Sequence, residues 1–152
     1  MTKRNSNHKE LIAALGTVLA DTYVLAVKTH GYHWNVTGTD FPQLHDFFDR
    51  EYTALIAAAD EIAERIRALG ALAPAGMTQL LQLAEVKDTG GKVLSAGAML
   101  ADLTTAHELT VAGLAAARKL ANTADDVVTD DLLIGRIAAH EKTLWMLKAQ
   151  LA

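Results

Sequence analysis

One stretch of about thirty residues constrains the fold of this chain more than any other. Asp40 is placed to cap its start, Pro42 falls in the first turn, where a missing N–H costs little, and Gly70 is a natural stop. No glycine interrupts the apolar periodicity between them. A helix of this length is unusual in a globular protein and indicates a helix bundle.

The rest of the chain predicts three further long helices and a short one. Residues 71–91 form a crossover that is too long to be structureless, so Met77 to Ala84 is predicted to form one or two helical turns. We therefore expect an all-α, ferritin-like four-helix bundle with a short extra helix in the long crossover between helices 2 and 3. A single domain covers residues 1–152, and residues 1–9 form a polar, flexible tail. The predicted helices span residues 11–33, 40–69, 77–84, 94–121 and 127–151.

Composition and charge exclude several classes of function. The chain has no cysteine, so it can form neither a disulfide framework nor a thiolate metal site. Its net charge of −4 argues against a strongly basic nucleic-acid surface. The N-terminus is polar, and we expect no window to approach a membrane span. These features predict a cytoplasmic protein without a membrane partner.

Four potential metal ligands share one face of the long second helix. With His45 set at zero and about 100° per residue, Asp49 lies at about 40°, Asp60 at about 60° and Glu64 at about 100°. His45 and Asp60 are nevertheless about 22 Å apart along the helix axis. The four residues therefore form two half-sites with i,i+4 spacing, which cannot share one ion within one chain.

An antiparallel copy of the helix would complete both half-sites. The pairs His45–Glu64 and Asp49–Asp60 have the same midpoint, as an isologous two-fold contact requires. Thr53 and Ala57, near that midpoint, are small enough to admit a partner helix. The spacing predicts two equivalent metal sites per dimer; the alternative is an ordinary solvated helix face. A neighbouring apolar face is expected to bury into the chain's own core, through Phe48, Tyr52, Leu55, Ala59, Ile62 and Ile66.

Other candidate motifs are weaker. The chain contains no Glu-x-x-His, which argues against a di-iron centre inside one bundle. His107 and His140 each precede a glutamate but lack the second histidine of a zinc-protease motif, so both are interpreted as surface or packing residues. His30, one turn before His33, is left open between an accessory ligand and a helix-dipole partner. Acidic residues at the start of the fourth helix either complement its dipole or line a pore: Asp125, Asp126, Asp130 and Asp131.

One long motif carries a resemblance to a known family. It begins at His33-Trp34-Asn35 and continues through Asp60-x-Ile62-Ala63-Glu64-Arg65 to Leu69-Gly70, and a second match lies at Glu141-Lys142-x-x-Trp145-Met146-Leu147. With these residues the chain resembles the Dps family of mini-ferritins, the DNA-protection-during-starvation proteins. The similarity extends over nearly the whole chain.

The resemblance implies a hollow homododecamer that oxidises Fe(II), commonly with hydrogen peroxide, and stores ferric mineral inside. It places the ferroxidase site at the two-fold interface, with His33, His45 and Asp49 from one subunit and Asp60 and Glu64 from its partner. Such mixed ligands suit iron and, less selectively, zinc or manganese. Trp34 adjoins the predicted ligand His33 and either packs over the site or supplies an electron, and packing is the preferred interpretation.

The resemblance also implies acidic three-fold pores, for which Asp126, Asp130 and Asp131 lie in the matching region. A ferroxidase that protects DNA from oxidative damage is the leading prediction. The alternative is a nucleoid-associated, non-specific DNA-binding protein whose metal site is secondary. The short tail and the negative charge of the chain weigh against that alternative.

Overall fold

Helices supply all the regular secondary structure in the described part of the chain. The computed structural model describes residues 3–152, and no β-strand occurs within them. The predicted all-α class is confirmed, and the helix bounds differ from the prediction by only a few residues except at the first helix. The helices are α1 (Lys3–Asn35), α2 (Phe41–Ala68), α3 (Met77–Leu83), α4 (Ala96–Thr123) and α5 (Val127–Leu151).

The four long helices form a bundle of two antiparallel hairpins. Helix α1 packs against α2 and α4, and α4 packs against α5. A long crossover joins α2 to α4 and contains the short helix α3, which packs on α1. This arrangement confirms the ferritin-like topology and places the short helix where the sequence predicted it.

Helix α2 begins and ends at the residues that the sequence indicated. Asp40 occupies the N-cap position, although its side chain makes no capping hydrogen bond, and Pro42 lies in the first turn. At the other end Gly70 adopts a φ of 86°, a conformation that only glycine reaches without strain. This turn lets the N–H of Ala71 donate to the carbonyl of Ile66. Such closure is typical of a glycine-terminated helix.

The core is built from the predicted apolar faces. On α2 the side chains of Phe48, Ile62 and Ile66 are fully buried, whereas Tyr52 is only half-buried. Burial of such side chains stabilises the fold by about 1.5 to 3 kcal/mol each. Because this face is packed, the opposite face of α2, which carries Asp60 and Glu64, is left exposed.

Helix α1 begins at Lys3 rather than near Leu11. The predicted start of the first helix near Leu11 is therefore wrong, because residues 3–9 of the predicted tail are helical, while residues 1 and 2 lie outside the described part. No proline or glycine occurs between Lys3 and Leu11 to stop the helix. Two tertiary contacts support the extension, because the amide of Asn7 donates to the carbonyl of Thr123 and the His8 ring reaches the carbonyl of Leu69.

The segment Ser6–Asn35 within α1 is long and apolar enough to cross a membrane by length and composition. The expectation that no window approaches a membrane span is therefore wrong for this helix. In the most apolar window, 61% of the residues are buried inside the protein. Burial of this kind is typical of the central helix of a bundle, which must be apolar on more than one side.

Asp21 fastens the crossover to α1. Its side chain is 2% exposed, and its Oδ1 atom accepts hydrogen bonds from the backbone N–H groups of Glu85 and Val86 at 2.7 and 2.8 Å. Burial raises the pKa of this carboxyl, although the two backbone bonds oppose the shift. The crossover is thus held by a buried carboxylate at the point where it leaves α3.

Replacing this anchor is expected to loosen the crossover. Asp21→Ala leaves two backbone N–H groups without their acceptor and should lower the free energy of unfolding by about 2 to 3 kcal/mol. Asp21→Asn retains an acceptor oxygen and should cost less than half as much. Urea denaturation measures both values, and hydrogen exchange at Glu85 and Val86 locates the effect. Equal stability of the two variants would contradict the anchor.

Candidate metal centre

Two predicted ligands, His33 and His45, meet where α1 ends and α2 begins. The short turn after Asn35 folds α2 back along α1, so His33 in the last turn of α1 lies beside His45 in the second turn of α2. Their rings stack with centroids 3.8 Å apart and an interplanar angle of 17°. The corner between α1 and α2 therefore brings together two residues that are twelve apart in the sequence.

Reciprocal hydrogen bonds fix the orientation of both rings. Nδ1 of His33 lies 2.8 Å from the carbonyl oxygen of His45, and Nδ1 of His45 lies 2.8 Å from the carbonyl oxygen of His33. Because a carbonyl oxygen only accepts, each Nδ1 must carry the proton and donate. Each Nε2 then carries the lone pair, which is the arrangement that metal-binding histidines use.

The first predicted carboxylate lies beside this pair. The Oδ1 atom of Asp49 is 3.9 Å from Nε2 of His33, and the Asp49 side chain is 50% exposed. One turn of α2 separates Asp49 from His45, so both side chains project from the same side of the helix. Three of the five predicted ligands, His33, His45 and Asp49, therefore lie together at one end of α2.

The other two predicted ligands lie apart from this group. Asp60 and Glu64 are exposed and occur in the second half of α2. Within residues 3–152, no set of three or more His, Cys, Asp or Glu side chains has the geometry to hold a metal ion. The five predicted ligands therefore form two separated groups in one chain, and their role in binding a metal stays a prediction.

An open groove runs along the exposed face of α2 and reaches Asp60. It has a volume of about 660 Å³, and its α2 wall includes the exposed residues Thr53, Ile56 and Ala57 and the half-site residue Asp60. Its opposite wall is formed by the crossover around Pro74 and Met77. The groove is mostly apolar, although it lies on the surface of the chain.

Aromatic rings surround the histidine pair. Tyr52 stacks on His30 at 3.9 Å and lies 5.6 Å from the ring of His33, and Phe41 stacks on His45 at 5.1 Å. Trp34, which was predicted to pack over the site, contacts His30 at 4.1 Å and is 65% exposed. The sequence analysis assigned Tyr52 to the core and did not place it beside the histidines. Its spacing of seven residues from His45 puts both side chains on the same side of α2, which could have predicted this position.

Two of the predicted pore carboxylates are paired with arginines of the same chain. Asp126 caps α5 by accepting from the backbone N–H of Thr129, and it also accepts two hydrogen bonds from Arg65 at 2.8 and 2.9 Å. Burial opposes ionisation of Asp126, but these hydrogen bonds outweigh it and hold its pKa below the usual range. The capping interpretation therefore accounts for Asp126.

Asp130 is likewise paired with an arginine. Its carboxylate accepts from Arg118 at 2.7 Å, which lowers its pKa, whereas Asp131 and Asp125 are exposed. Since an arginine neutralises each of Asp126 and Asp130, their field on a passing cation is reduced. Of the three residues predicted to line a pore, Asp131 is the one whose carboxylate is exposed.

Comparison with known proteins agrees with this architecture. The family model for a ferritin-like domain matches residues 12–152. The DNA protection during starvation protein 2 of Bacillus anthracis is 35% identical over 142 residues, which cover 93% of this chain and 97% of that protein. The crystal structure of a Dps protein from Bacillus brevis superposes with a TM-score of 0.94 at 34% identity and covers 100% of both chains.

A second solved structure is that of a Dps protein from Vibrio cholerae, described as a member of a broad superfamily of ferritin-like diiron-carboxylate proteins. It superposes with a TM-score of 0.92 at 31% identity and covers 97% of this chain and 92% of that chain. The similarity thus extends through both half-sites and the crossover.

Proposed function

Because this chain belongs to the Dps family of ferritin-like proteins, we propose that it oxidises Fe(II) at sites shared between two subunits and stores the ferric product in a closed shell. Iron is the substrate and cargo of this reaction. The arrangement of α2 supports the proposal most directly. One group of predicted ligands is partly buried near its start, the other is exposed in its second half, and an open apolar groove runs along the same helix.

A second copy of the chain would complete each half-site. When an antiparallel α2 packs into the groove near Thr53 and Ala57, Asp60 and Glu64 of one subunit approach His33, His45 and Asp49 of the other. Packing would also cover the apolar wall of the groove, including Ile56, which is 43% exposed in the single chain. The same contact therefore accounts for the exposed apolar surface and for the ligands.

The ligand set fits ferrous iron. Two imidazole Nε2 atoms with preset lone pairs and three carboxylates offer the mixed nitrogen and oxygen donors that Fe(II) accepts, and zinc or manganese would bind less selectively. Few protein ligands leave positions for the oxidant. Two Fe(II) ions supply the two electrons that convert one H2O2 and two protons into two waters. A concerted two-electron transfer of this kind releases no hydroxyl radical.

We further propose that twelve chains assemble with two-fold contacts at α2, in the cytoplasm, and that iron enters past Asp131. The mass of the native assembly tests the first point. A twelve-fold particle supports shared sites, whereas a monomer would leave the half-sites incomplete. Asp131→Asn should slow iron entry, and Asp126→Asn should act mainly on stability because Asp126 pairs with Arg65.

Protection of DNA follows from removing iron and peroxide together, and it needs no contact with DNA. Binding to DNA is the second candidate function, and the names of relatives such as the Bacillus anthracis protein favour testing it. The net charge of −4 opposes such binding. A gel shift over increasing salt separates the two, because phosphate contacts must weaken steeply as salt rises.

Removal of the distal half-site tests the proposed activity. Asp60→Ala/Glu64→Ala should reduce the initial rate of Fe(II) oxidation by H2O2 by about 100-fold, because the second set of ligands is lost. Stopped-flow absorbance of the ferric product measures the rate. Glu61→Ala is the matched control, since Glu61 is an exposed carboxylate on the same helix, and it should retain the wild-type rate. An unchanged rate in the double variant would refute the site.

A further inference from the structure

Two buried histidines join α4 to α5, away from the half-sites. His107 of α4 and His140 of α5, which we call the core histidines, are 2% and 1% exposed, and their Nδ1 atoms lie 2.8 Å apart. In such a contact one nitrogen must donate and the other must accept. The two facing nitrogens therefore carry one proton between them.

A neighbouring arginine determines where the protons lie. Nη2 of Arg136 lies 3.5 Å from Nε2 of His140, and a guanidinium can only donate, so His140 carries its proton on Nδ1. His140 then donates to Nδ1 of His107, whose own proton is on Nε2. Each remaining lone pair already faces a donor. A further proton on either ring would place two N–H groups face to face, so the rings can accept it only by moving apart.

No neighbouring carboxylate compensates an added proton. Within residues 3–152, none lies within 4 Å of either core histidine. The charges that act on the two rings are those of Arg136 and of the pair itself. On α2, Glu51 and Glu61 act on Arg136 instead, and the exposed Lys142 of α5 lines a cavity beside the rings.

The other charged groups of α1 and α4 near this level are bonded elsewhere. On α1, Asp21 accepts from backbone amides of the crossover, and Lys28 pairs with Asp102 of α4 at 2.9 Å. Glu108, which follows His107 in the sequence, pairs with Lys148 on the surface. An imidazolium at this position would therefore be buried without a counter-charge, which is costly.

The first half of α5 is held by contacts that resist acid. Arg65 donates to Asp126 at 2.8 and 2.9 Å, and Arg118 donates to Asp130 at 2.7 Å. The hydrogen bond from Arg118 lowers the pKa of Asp130, and that of Asp126 is lowered because hydrogen bonds from Thr129 and Arg65 outweigh its burial. Both carboxylates therefore stay ionised in mild acid, and both contacts persist.

The second half of α5 has weaker contacts. Thr143 donates to Glu51 at 2.8 Å, but burial raises the pKa of Glu51, which stops balancing the charge of Arg136 once it takes up a proton. The exposed pair of Lys148 and Glu108 contributes little. Within the described part of the chain α4 alone packs closely on α5, and a cavity of about 180 Å³ lies between α5 and α2. This half of the helix therefore depends on its contact with α4.

We propose that the core histidines form an acid-sensitive switch, which holds the second half of α5, residues 137–151, against α4 and releases it in mild acid. The released half takes up protons that the closed structure refuses, so its population rises as pH falls. Opening of this half precedes global unfolding because the first half keeps its arginine contacts. The opening does not depend on the proposed iron chemistry. For the proposed store, it would confine weakening of the subunit wall to acidic conditions.

Introduced thiols can locate the opening, because the chain has no cysteine of its own. Leu147→Cys probes the second half of α5 and Leu133→Cys the first half, and both leucines are 0% exposed. Reaction of the assembled protein with 4,4′-dithiodipyridine, relative to the urea-unfolded protein at the same pH, gives the protection of each thiol. From pH 7 to pH 5 we expect protection at position 147 to fall by at least about 20-fold, the factor for one histidine that is protonated only in the open state. Protection at position 133 should change by less than about twofold, because the open state leaves it covered.

Removal of the core histidines should abolish this pH dependence. In the Leu147→Cys background, His107→Leu/His140→Leu should give equal protection at pH 5 and pH 7. Glu108→Gln is the matched control, since it removes an exposed carboxylate beside His107, and it should keep the full loss. Equal losses at positions 133 and 147 would show global unfolding and refute the switch, and so would protection at position 147 that does not change with pH. Both outcomes need only the single-cysteine variants, so they decide the matter even if the double variant assembles poorly.

Discussion

A mixture of two inactive variants is expected to recover about one quarter of the wild-type iron-oxidising sites. One variant lacks His45 and Asp49, and the other lacks Asp60 and Glu64. When their subunits are unfolded together and reassembled at random, half of the two-fold pairs contain one of each. In such a pair one site has lost both half-sites, whereas the other site keeps all its ligands.

The result distinguishes a shared site from one within a chain. If each subunit held its own iron, every site in the mixture would lack ligands and no activity would return. Stopped-flow oxidation of Fe(II) by H2O2 measures the recovery, and mixing the assembled variants without unfolding provides the control. Reassembly of either variant alone should stay inactive. Recovery far below one quarter in fully reassembled particles would contradict the proposed two-fold contact.

The second large effect is a loss of stability in mild acid. Burial lowers the pKa of His107 to about 4, with a smaller contribution from Arg136, and burial together with the charge effects of His107 and Arg136 lowers that of His140 to about 2. Below pH 6.5 the unfolded chain binds protons that the folded chain refuses, so stability falls as pH falls. The loss should continue from pH 6.5 down to about 4 for His107 and to about 2 for His140, and it should reach about 2 kcal/mol per histidine at pH 5.

Replacing the pair should flatten this pH dependence. In His107→Leu/His140→Leu the two titrating groups are gone, and leucine is close enough in size to fill the space. Thermal unfolding midpoints at several pH values from 4.5 to 7 measure the slope relative to the wild type. Leu133→Val, a change in the same helix that titrates nothing, should lower the midpoint equally at every pH. A double variant with the wild-type slope would show that other groups control acid unfolding.

Local sequence signals predicted most of the helices because their causes are local. Gly70 stops α2 through a backbone conformation, and Pro42 starts it through a missing N–H, so neither depends on distant residues. The start of α1 could not be read in this way. The extension rests on contacts with Leu69 and Thr123, which are distant in sequence.

The candidate half-sites could also be predicted, since helical spacing alone places four residues on one face: His45, Asp49, Asp60 and Glu64. The partners of the charged residues could not be predicted from spacing. Asp126 was left open between a helix cap and a pore because its arginine, Arg65, lies 61 residues away in sequence. Helical periodicity predicts the face on which a side chain lies, but it does not predict which residue of another helix that side chain contacts.

The burial of His107 and His140 could have been predicted from a different spacing. His140 lies seven residues from both Leu133 and Leu147, which are fully buried, and His107 lies seven from the buried Leu100 and Leu114. Heptad spacing of this kind predicts burial for polar residues as well as for apolar ones. Treating both histidines as surface or packing residues missed that they face each other across two helices.

The paired carbonyl contacts of His33 and His45 have a consequence for how the proposed site would bind an ion. Because each imidazole is already clamped by the other residue's backbone, the conformational freedom of both rings is lost when the chain folds rather than when an ion arrives. The proposed site would therefore be preorganised on its imidazole side, and the loss of an ion from it would leave the corner between α1 and α2 unchanged.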